Sequence, residues 1–461
     1  MAPSFGTSGV RGLVRDLHAD VVSAYVHAFN ATCPTGGRVF VGRDLRPSSP
    51  NIASAVIRAV QAAGLEAVDC GGLPTPALAQ ACMAAGAGAV MVTGSHIPAD
   101  RNGLKFYTPN GEITKRDEAR IVAAFTARQA LRAEQPGRLI KTNVTDAYAA
   151  RVVSGFRPGA LTGLRVGVYR HSSVARDILQ DVLSALGAIV VPLGHSHDFV
   201  PVDTEAVKSA TRAMLADWCA AHGLDAVVST DGDGDRPMLV DATGHLLSGD
   251  VLGVLTAQGL GATEVVTPIS SNDMVEDLGF AHVTRTRIGS PHVIAGMAAR
   301  LAENSIARVV GFEGNGGFLL GFEASGMQPL MTRDAILPLV AVLARSVFKG
   351  GTVARLVTDL PACHTATDSI QDIAPEQSAA FLARIDHDKH ARAALFADLG
   401  EIARIDRTDG LRMYFNGGQV VHLRPSGNAP EFRVYVQSNS RRGADALLAT
   451  CLSRVALRLR L

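Results

Sequence analysis

The sequence repeats one order of predicted elements three times. In each round a strand, a helix, a second strand, a second helix and a third strand are followed by a loop of polar residues and glycine. The third strands are predicted to end at Val92, Ser229 and Gly311. Because open α/β sheets place their sites at the carboxyl ends of parallel strands, these loops are the expected positions of functional side chains. The pattern predicts an α/β fold with three related units.

A different pattern begins near Pro361. We predict a helix at 376–388, strands at 411–415, 419–423 and 432–437, and a final helix at 444–459. Such a mixture is typical of an α+β unit. Polar or glycine-containing stretches near Asn143, Ser248 and Leu360 divide the chain. The predicted domains are 1–143, 144–248, 249–360 and 361–461.

The composition limits the partners of the chain. Its 461 residues carry a formal net charge of +1, 5% of them are aromatic, and there is no block of lysine and arginine. This argues against nucleic acid or a membrane as the main partner, and it is compatible with a small anionic substrate. The scattered cysteines, the lack of a signal-peptide pattern and the lack of a long apolar run predict a cytoplasmic protein with reduced thiols. We expect a monomer or a homodimer.

Ser95 follows the first of the three buried strands. The stretch Thr93-Gly94-Ser95-His96-Ile97-Pro98 would place a reactive hydroxyl at the end of that strand. The alternative is an ordinary turn in which the hydroxyl caps a backbone N–H group. Lys105 is a candidate for proton transfer, because burial beside other cations can lower the pKa of a lysine. Most isolated lysines, however, are surface residues.

Three carboxylates follow the second buried strand, at the alternate positions Asp231, Asp233 and Asp235. They would repel one another unless a cation lay between them, and oxygen ligands without Cys or His favour Mg²⁺. An EF-hand loop is a poor match, because its sixth and twelfth positions would be Arg236 and Ala242. A solvated acidic turn is the simpler alternative.

Other loops carry groups that could bind anions or sugar hydroxyls. An early glycine-rich loop contains Arg11, and the loop after the third buried strand contains Glu313 and Asn315. A late loop, 424–430, is followed by Arg433 and offers a guanidinium, a hydroxyl, an amide and backbone N–H groups that suit a phosphate dianion. Each loop could also be a plain turn. Together with the serine and the carboxylates, they would serve phosphoryl transfer to a phosphorylated small molecule.

In this order the motifs resemble the signatures of the α-D-phosphohexomutases across nearly the whole chain. The motifs are GTSGVRG at 6–12, TGSHIP at 93–98 with NGLK at 102–105, DGDGDR at 231–236, EGN at 313–315 and RPSGN at 424–428. The resemblance implies a heart-shaped architecture of four domains. Three related α/β domains and a C-terminal α+β domain would surround a central cleft.

The resemblance also implies a role for each motif. Ser95 would be the phosphoserine, Lys105 with Arg11 and His96 would serve the acid/base step, and Arg236 would lie beside the metal. Residues that would hold Mg²⁺ are Asp231, Asp233, Asp235 and an oxygen on Ser95. Residues that would bind the sugar are Glu313 and Asn315. Residues that would bind the distal phosphate are Arg424, Ser426, Gly427, Asn428 and Arg433.

The chain departs from the common family pattern at several positions. Members commonly have Ala and Asn where this chain has Gly94 and Ile97, and a serine where it has Asn315. Ser290 stands where His or Asp is frequent, with His292 nearby. The departures in the sugar-reading loops bear on the choice of sugar, whereas Ser95 and the three aspartates of the chemistry are intact.

The implied reaction transfers the phosphoryl group of Ser95 to a hexose 1-phosphate and returns the other phosphate to Ser95. The expected cofactors are Mg²⁺ and a hexose 1,6-bisphosphate, and the expected partners are hexose phosphates. The first loop and the Gly-Asn pair are most similar to bacterial phosphomannomutases, with phosphoglucomutase or dual activity as the alternative. The metal motif lacks the Asp-Gly-Asp-Ala-Asp-Arg form that is usual in phosphoglucosamine mutases.

Two alternatives come from other classes of protein. One is a haloacid-dehalogenase-type phosphatase with Asp231 as nucleophile and Asp233 as acid/base, although that motif normally has Thr or Val at the position of Asp235. The other is a sugar-phosphate-binding protein without catalysis. Phosphoserine at Ser95 in the purified protein would argue against the second.

Overall fold

The structure, a computed structural model, describes residues 3–6, 8–131, 133–426 and 430–459. Its strands form four sheets, and each sheet is drawn from one continuous section of chain. The chain passes from one sheet to the next between residues 141 and 165, between 241 and 264, and between 334 and 364. The predicted domain limits at 143, 248 and 360 fall in these intervals and stay predictions.

The first sheet has its strands in the order β1-β2-β6-β5-β3-β4-β8, with β7 paired to β6. The strands are β1 (Ser4–Phe5), β2 (Val10–Leu13), β3 (Arg38–Arg43), β4 (Glu66–Gly72), β5 (Gly88–Val92), β6 (Arg101–Thr108), β7 (Gly111–Glu112) and β8 (Leu139–Lys141). The helices beside it are α1 (Ala19–Thr32), α2 (Ser49–Ala62), α3 (Thr75–Ala84) and α4 (Lys115–Thr126).

The second and third sheets are smaller. The second section contains α5 (Thr145–Ser154), β9 (Arg165–His171), α6 (Arg176–Ala185), β10 (Ile189–His195), α7 (Ser209–His222), β11 (Ala226–Thr230) and β12 (Pro237–Asp241). The third contains α8 (Gly249–Gly259), β13 (Glu264–Pro268), β14 (His282–Thr286), α9 (Ser290–Glu303), β15 (Val309–Phe312), β16 (Phe318–Leu320), β17 (Leu330–Asp334), α10 (Ile336–Phe348) and α11 (Val353–Thr358).

One strand order is shared by these three sheets. Three parallel strands are followed by one antiparallel strand in β4-β3-β5-β6, β10-β9-β11-β12 and β14-β13-β15-β16. The three related α/β units are therefore confirmed. The sequence did not predict the antiparallel return strands. One return strand contains the charged Lys105, and another has three residues, so neither shows a clear apolar pattern.

The fourth sheet is antiparallel throughout, in the order β18-β22-β21-β20-β19. Its section contains β18 (His364–Gln371), α12 (Pro375–His387), α13 (Lys389–Leu395), β19 (Ile402–Asp406), β20 (Leu411–Phe415), β21 (Val420–Pro425), β22 (Glu431–Ser438) and α14 (Arg441–Leu459). The predicted α+β unit is confirmed.

One apolar core runs through the first three sections of the chain. It joins Leu78 on α3, Leu183 on α6, Leu255 on α8 and Leu343 on α10, all of which are buried. The fourth section has a core of its own, around residues such as Phe432. Because close-packed cores resist deformation, the strand ends of the first three sheets are held in fixed relative positions.

The loop before α7 is long. It continues past residue 205, and α7 begins only at Ser209. Asp203 and Glu205 therefore lie in the loop between β10 and α7. This loop matters for the site, because both carboxylates approach the cleft described below.

Two further features concern the state of the cysteines and the apolar character of the helices. All six cysteines are free thiols in the structure. In the part of the chain that the structure describes, we find no helix with the length and apolar character needed to cross a membrane.

Candidate functional site

Ser95 lies in a tight turn directly after β5. Its φ of 53° is in the left-handed region, and its side chain is buried. Thr93, not Ser95, caps the turn, because the N–H of Ser95 donates to Thr93 Oγ1 at 2.7 Å. The Ser95 hydroxyl instead donates to Asp231 Oδ2 at 2.5 Å. The turn therefore directs the hydroxyl at a carboxylate of the second sheet.

A buried ion pair supports residues 93–98, which we call the phosphoserine loop after the role predicted for Ser95. Asp44 Oδ2 accepts from the Thr93 hydroxyl at 2.8 Å and lies 3.1 Å from Nε of Arg46. The Arg46 guanidinium, 1% exposed, donates to backbone carbonyls around the loop. These are the carbonyls of Ser95, Ile97, Pro98 and Arg101, at 2.9, 2.5, 2.6 and 2.9 Å. A role for this pair was not predicted from the sequence.

The three aspartates meet in the metal loop, residues 231–236, between β11 and β12. One carboxylate oxygen from each lies within 4.8 Å of the others, and all three residues are fully or almost fully buried. Burial and the charges of Asp233 and Asp235 raise the pKa of Asp231 well above its usual value. Burial on this scale is inconsistent with a solvated acidic turn.

The carboxylate oxygens of the three aspartates could bind a cation. The Oδ1 atoms of Asp233 and Asp235 are buried and have no hydrogen-bond partner among the described residues. Unpartnered buried carboxylate oxygens are costly unless a cation binds them. Oxygen-only donors suit a hard divalent ion, so these residues could hold one.

Lys105 is buried on β6 and is not a surface residue. Its Nζ lies 2.6 Å from Oδ2 of Asp233 and 2.6 Å from Oδ2 of Asp235. Burial alone would raise the pKa of Asp233, but the charge of Lys105, together with hydrogen bonds from Lys105 and Thr75, lowers it. Lys105 therefore neutralises part of the charge of the metal loop.

His96 and Arg236 form the next layer around Ser95. Nδ1 of His96 lies 3.3 Å from Ser95 Oγ and 2.9 Å from Nη1 of Arg236, while Nε2 lies 3.9 Å from Oδ2 of Asp203. Burial and the charge of Arg236 lower the pKa of His96 to about 3, so the ring is neutral near pH 7. Arg11, on β2, donates to the carbonyl of Thr93 at 3.0 Å, and burial lowers its pKa to about 10.

Residues 313–317, which we call the sugar loop after their predicted role, approach from the third sheet. Glu313 is 3% exposed, and its Oε2 accepts from Nη1 of Arg333 at 3.3 Å. Asn315 Oδ1 accepts from the N–H of Gly317 at 3.0 Å, and the Asn315 carbonyl accepts from the Thr204 hydroxyl at 2.8 Å. The loop is thus tied to the second section of the chain.

Ser290 contacts the first section of the chain. Its buried hydroxyl donates to the carboxylate of Glu112, at 2.9 Å from Oε2 and 3.1 Å from Oε1. The neighbouring residues Ile288 and Gly289, not Ser290, line the cleft. The Ser290 hydroxyl therefore bonds the third section of the chain to the first.

The fourth section contributes Arg424, Ser426 and Arg433 to the cleft. Arg424 Nε donates to Asp409 Oδ1 at 2.9 Å. Gly427 and Asn428, predicted to bind phosphate, lie outside the described residues.

Arg433 is held by three carboxylates. Its guanidinium donates to Glu431 at 2.8 Å and to Glu205 at 3.0 Å, and Asp203 lies 3.8 Å away. Although burial lowers the pKa of Arg433, neighbouring groups that include these carboxylates raise it well above its usual value. Glu205 and Asp203 belong to the second section, so this cluster joins the second and fourth sections across the cleft.

Predicted residues from all four sections line one cleft, and the buried aspartate Asp231 contacts Ser95 of that cleft. Residues that line it include Arg11, Ser95, His96, Arg236, Glu313, Asn315, Arg424, Ser426 and Arg433. Cations outnumber carboxylates among the lining residues, which suits an anionic ligand. Glu205, Arg333 and Tyr435 also line the cleft and were missed from sequence, because each stands alone without a local motif.

Comparison with known proteins identifies the family. Residues 2–132, 146–244 and 248–363 match phosphoglucomutase/phosphomannomutase alpha/beta/alpha domains I, II and III, respectively. The chain belongs to the phosphoglucomutase/phosphomannomutase family. The predicted membership of the phosphohexomutase superfamily is therefore confirmed.

Full-length relatives in this family carry several names. A phosphomannomutase of Sinorhizobium fredii is 43% identical over 98% of each chain. A phosphomannomutase of Salmonella muenchen is 40% identical over 99% of this chain and 96% of its own. A phosphoglucosamine mutase of Frankia casuarinae is 30% identical over 99% of this chain and 98% of its own.

Solved structures in the family share the fold. A putative phosphomannomutase from Thermus thermophilus superposes with a TM-score of 0.76 at 22% identity, over 99% of each chain. A family protein from Burkholderia thailandensis gives a TM-score of 0.75 at 20% identity, over 98% of this chain and 96% of its own. These likenesses confirm the predicted phosphohexomutase fold.

Proposed function

We propose that the protein is a phosphomannomutase that interconverts mannose 1-phosphate and mannose 6-phosphate through a phosphorylated Ser95. One observation carries the chemistry. A strained, buried serine directs its hydroxyl at a carboxylate triad within a cleft rich in arginine. The two phosphomannomutase relatives, at 43% and 40% identity, support the choice of sugar.

The metal would be Mg²⁺, held by Asp231, Asp233, Asp235 and an oxygen on Ser95. When bound, it would neutralise negative charge on the phosphoryl group. Lys105 contacts two of these carboxylates, those of Asp233 and Asp235, and the Ser95 hydroxyl donates to the third, that of Asp231. We assign proton transfer to Lys105, with Arg11 and His96 next to it.

The sugar would lie between the sugar loop and the phosphate loop, residues 424–430. Glu313 and Asn315 would bind its hydroxyl groups, and Arg424, Ser426, Gly427, Asn428 and Arg433 would bind the phosphate that is not reacting. Because either phosphate must occupy that position in turn, the loop must recognise phosphate and not one face of the sugar. A hexose 1,6-bisphosphate would be the intermediate and the activator. We also propose that the protein acts in the cytoplasm, with hexose phosphates as its partners.

Phosphoglucomutase or dual activity is the second candidate. Ser290 is bonded to Glu112, so this position does not select the sugar through its hydroxyl. The choice between mannose and glucose would then depend on Glu313, Asn315 and the cleft wall at Ile288 and Gly289.

The test is a mutase assay with Mg²⁺ and trace hexose 1,6-bisphosphate. It compares mannose 1-phosphate, glucose 1-phosphate and glucosamine 1-phosphate at equal concentrations. We expect mannose 1-phosphate to turn over at least as well as glucose 1-phosphate. A clear preference for glucose 1-phosphate would be consistent with the proposed mechanism but would contradict the assignment of mannose as the preferred sugar. Release of free phosphate without isomerisation would support a phosphatase instead.

Ser95→Ala separates the chemical alternatives. A mutase should lose almost all turnover, whereas a phosphatase that uses Asp231 as nucleophile would keep its activity. Ser54→Ala is the matched control, because Ser54 is an exposed serine on α2. Phosphoserine at Ser95, detected by mass spectrometry, would argue against a binding protein without catalysis.

A further inference from the structure

Arg333 is a buried cation of the cleft that no sequence motif contains. It lies on β17, the edge strand of the third sheet, and is 5% exposed. It lines the same cleft as Ser95 and Glu313. An arginine is costly to bury unless its charge is compensated, so its partners indicate its role.

Those partners belong to two different loops. Nη2 lies 2.8 Å from Oδ2 of Asp235 in the metal loop, and Nη1 donates to Oε2 of Glu313 in the sugar loop at 3.3 Å. Its Nε is buried and has no hydrogen-bond partner among the described residues. Two carboxylates from separate sheets therefore hold one planar guanidinium.

The sugar loop is built around the stem of this arginine. A Cβ atom at Gly317 would lie 2.6 Å from Cδ of Arg333, so a side chain at 317 would displace it. The N–H of Gly317 in turn donates to Oδ1 of Asn315. Arg333 thus contacts the loop at both ends, through the Glu313 carboxylate and through the glycine that orients Asn315.

We propose that Arg333 is a positioning residue for sugar recognition, which holds Glu313 and the sugar loop at a fixed distance from the metal loop. The proposal rests on the proposed mutase function, in which Glu313 and Asn315 bind the sugar. A lysine at 333 would keep the charge but could not make two directed contacts in one plane.

The experiment measures binding of mannose 6-phosphate by calorimetry in a Ser95→Ala background, so that turnover does not intervene. Arg333→Gln, Arg333→Lys, Glu313→Gln and the double variant Arg333→Gln/Glu313→Gln are compared. We expect Arg333→Gln to weaken binding by about tenfold or more, the loss typical of a charged hydrogen bond, and Arg333→Lys to weaken it in part. Because Arg333 and Glu313 act as one contact, the double variant should lose less binding than the sum of the two single losses.

Arg300→Gln is the matched control, since Arg300 pairs with Glu264 at 2.8 Å outside the cleft. It should leave binding unchanged. Unchanged binding in Arg333→Gln, or losses that add in the double variant, would overturn the proposal. Thermal melting shows whether Arg333→Gln folds. If it does not, Arg333→Lys is tested in its place, alone and combined with Glu313→Gln, for loss of binding and for additivity of the losses.

Turnover of mannose 1-phosphate by the wild type is measured separately. Its absence would contradict the proposed function. Turnover together with unaltered sugar binding in the Arg333 variants would contradict the role of Arg333 alone.

Discussion

The hydroxyl of Ser95 lies 2.5 Å from Oδ2 of Asp231, although the two residues are 136 positions apart and belong to different sheets. The contact exists because β5 and β11 both end at the cleft and one apolar core holds their sheets together. The remaining carboxylates of the metal loop then surround a position beside that oxygen.

Removal of divalent ions should inactivate and destabilise the protein. Without a bound cation, nearby side chains such as Lys105, Arg333 and Arg236 offset part of the charge of the buried triad. We expect a chelator to abolish turnover and Mg²⁺ to restore it and raise the melting temperature, because binding to the folded state adds stability. Melting curves with and without Mg²⁺ check this. Asp233→Asn should lose most of the increase in melting temperature that Mg²⁺ causes. Asp181→Asn, on the exposed face of α6, should show the same increase as the wild type. Equal shifts in both variants would contradict the assignment.

Gly94→Ala should destabilise the phosphoserine loop. A Cβ atom at 94 would lie 2.6 Å from Cζ of Arg46, which cannot move without losing its bonds to the loop carbonyls. We expect the free energy of unfolding to fall by about 1–3 kcal/mol, the usual cost of overpacking. Chemical denaturation measures it, and phosphoserine content by mass spectrometry shows the effect on Ser95.

Gly259→Ala is the control for Gly94→Ala. At Gly259 the added Cβ would lie 3.7 Å from Arg345 Cδ, an ordinary contact near the end of α8. Equal stability of the two variants would mean that Arg46 moves aside without cost.

Stability should fall as the pH is lowered below about 6.5, partly because of His422. Burial and the nearby charge of Arg412 lower the pKa of His422 from 6.5 to about 3. The unfolded chain therefore takes up a proton in this range that the folded protein refuses, which favours unfolding. His422→Gln should flatten the decrease between pH 6.5 and 4 in denaturant titrations. Replacement of the exposed His282 by Gln serves as control, and an unchanged slope in His422→Gln would contradict the prediction.

Glu205→Gln should strengthen the binding of inorganic phosphate. Glu205 lies 3.0 Å from the Arg433 guanidinium and so competes with an anion for it. Neutralising it leaves Arg433 paired to Glu431 but adds positive potential at the cleft. We expect several-fold tighter inhibition by phosphate, measured as an inhibition constant. Glu303→Gln on the surface of α9 should not change that constant. Weaker inhibition in Glu205→Gln would show that Glu205 orients Arg433 instead of competing with the anion.

Local patterns were sufficient for much of the fold. Alternating apolar runs and helical spacing identified three α/β units and an α+β unit, because burial imposes a period on the side chains of each element. Glycine-rich loops after the strands predicted Ser95, Asp231 and Glu313, and these lie around one cleft. Short motifs are sufficient to predict these residues, because the residues of each motif follow the end of one strand and therefore lie close together.

The residues that support these motifs were decided by the tertiary structure. Arg46, Glu205 and Arg333 are single charged residues in otherwise ordinary segments, and their partners lie on other loops. A buried charge is stable only where opposite charges or carbonyls surround it, and those partners come from distant parts of the chain. The sequence by itself therefore determined which loops meet around the cleft. Packing of the sheets around the cleft decided which isolated charges hold those loops in place.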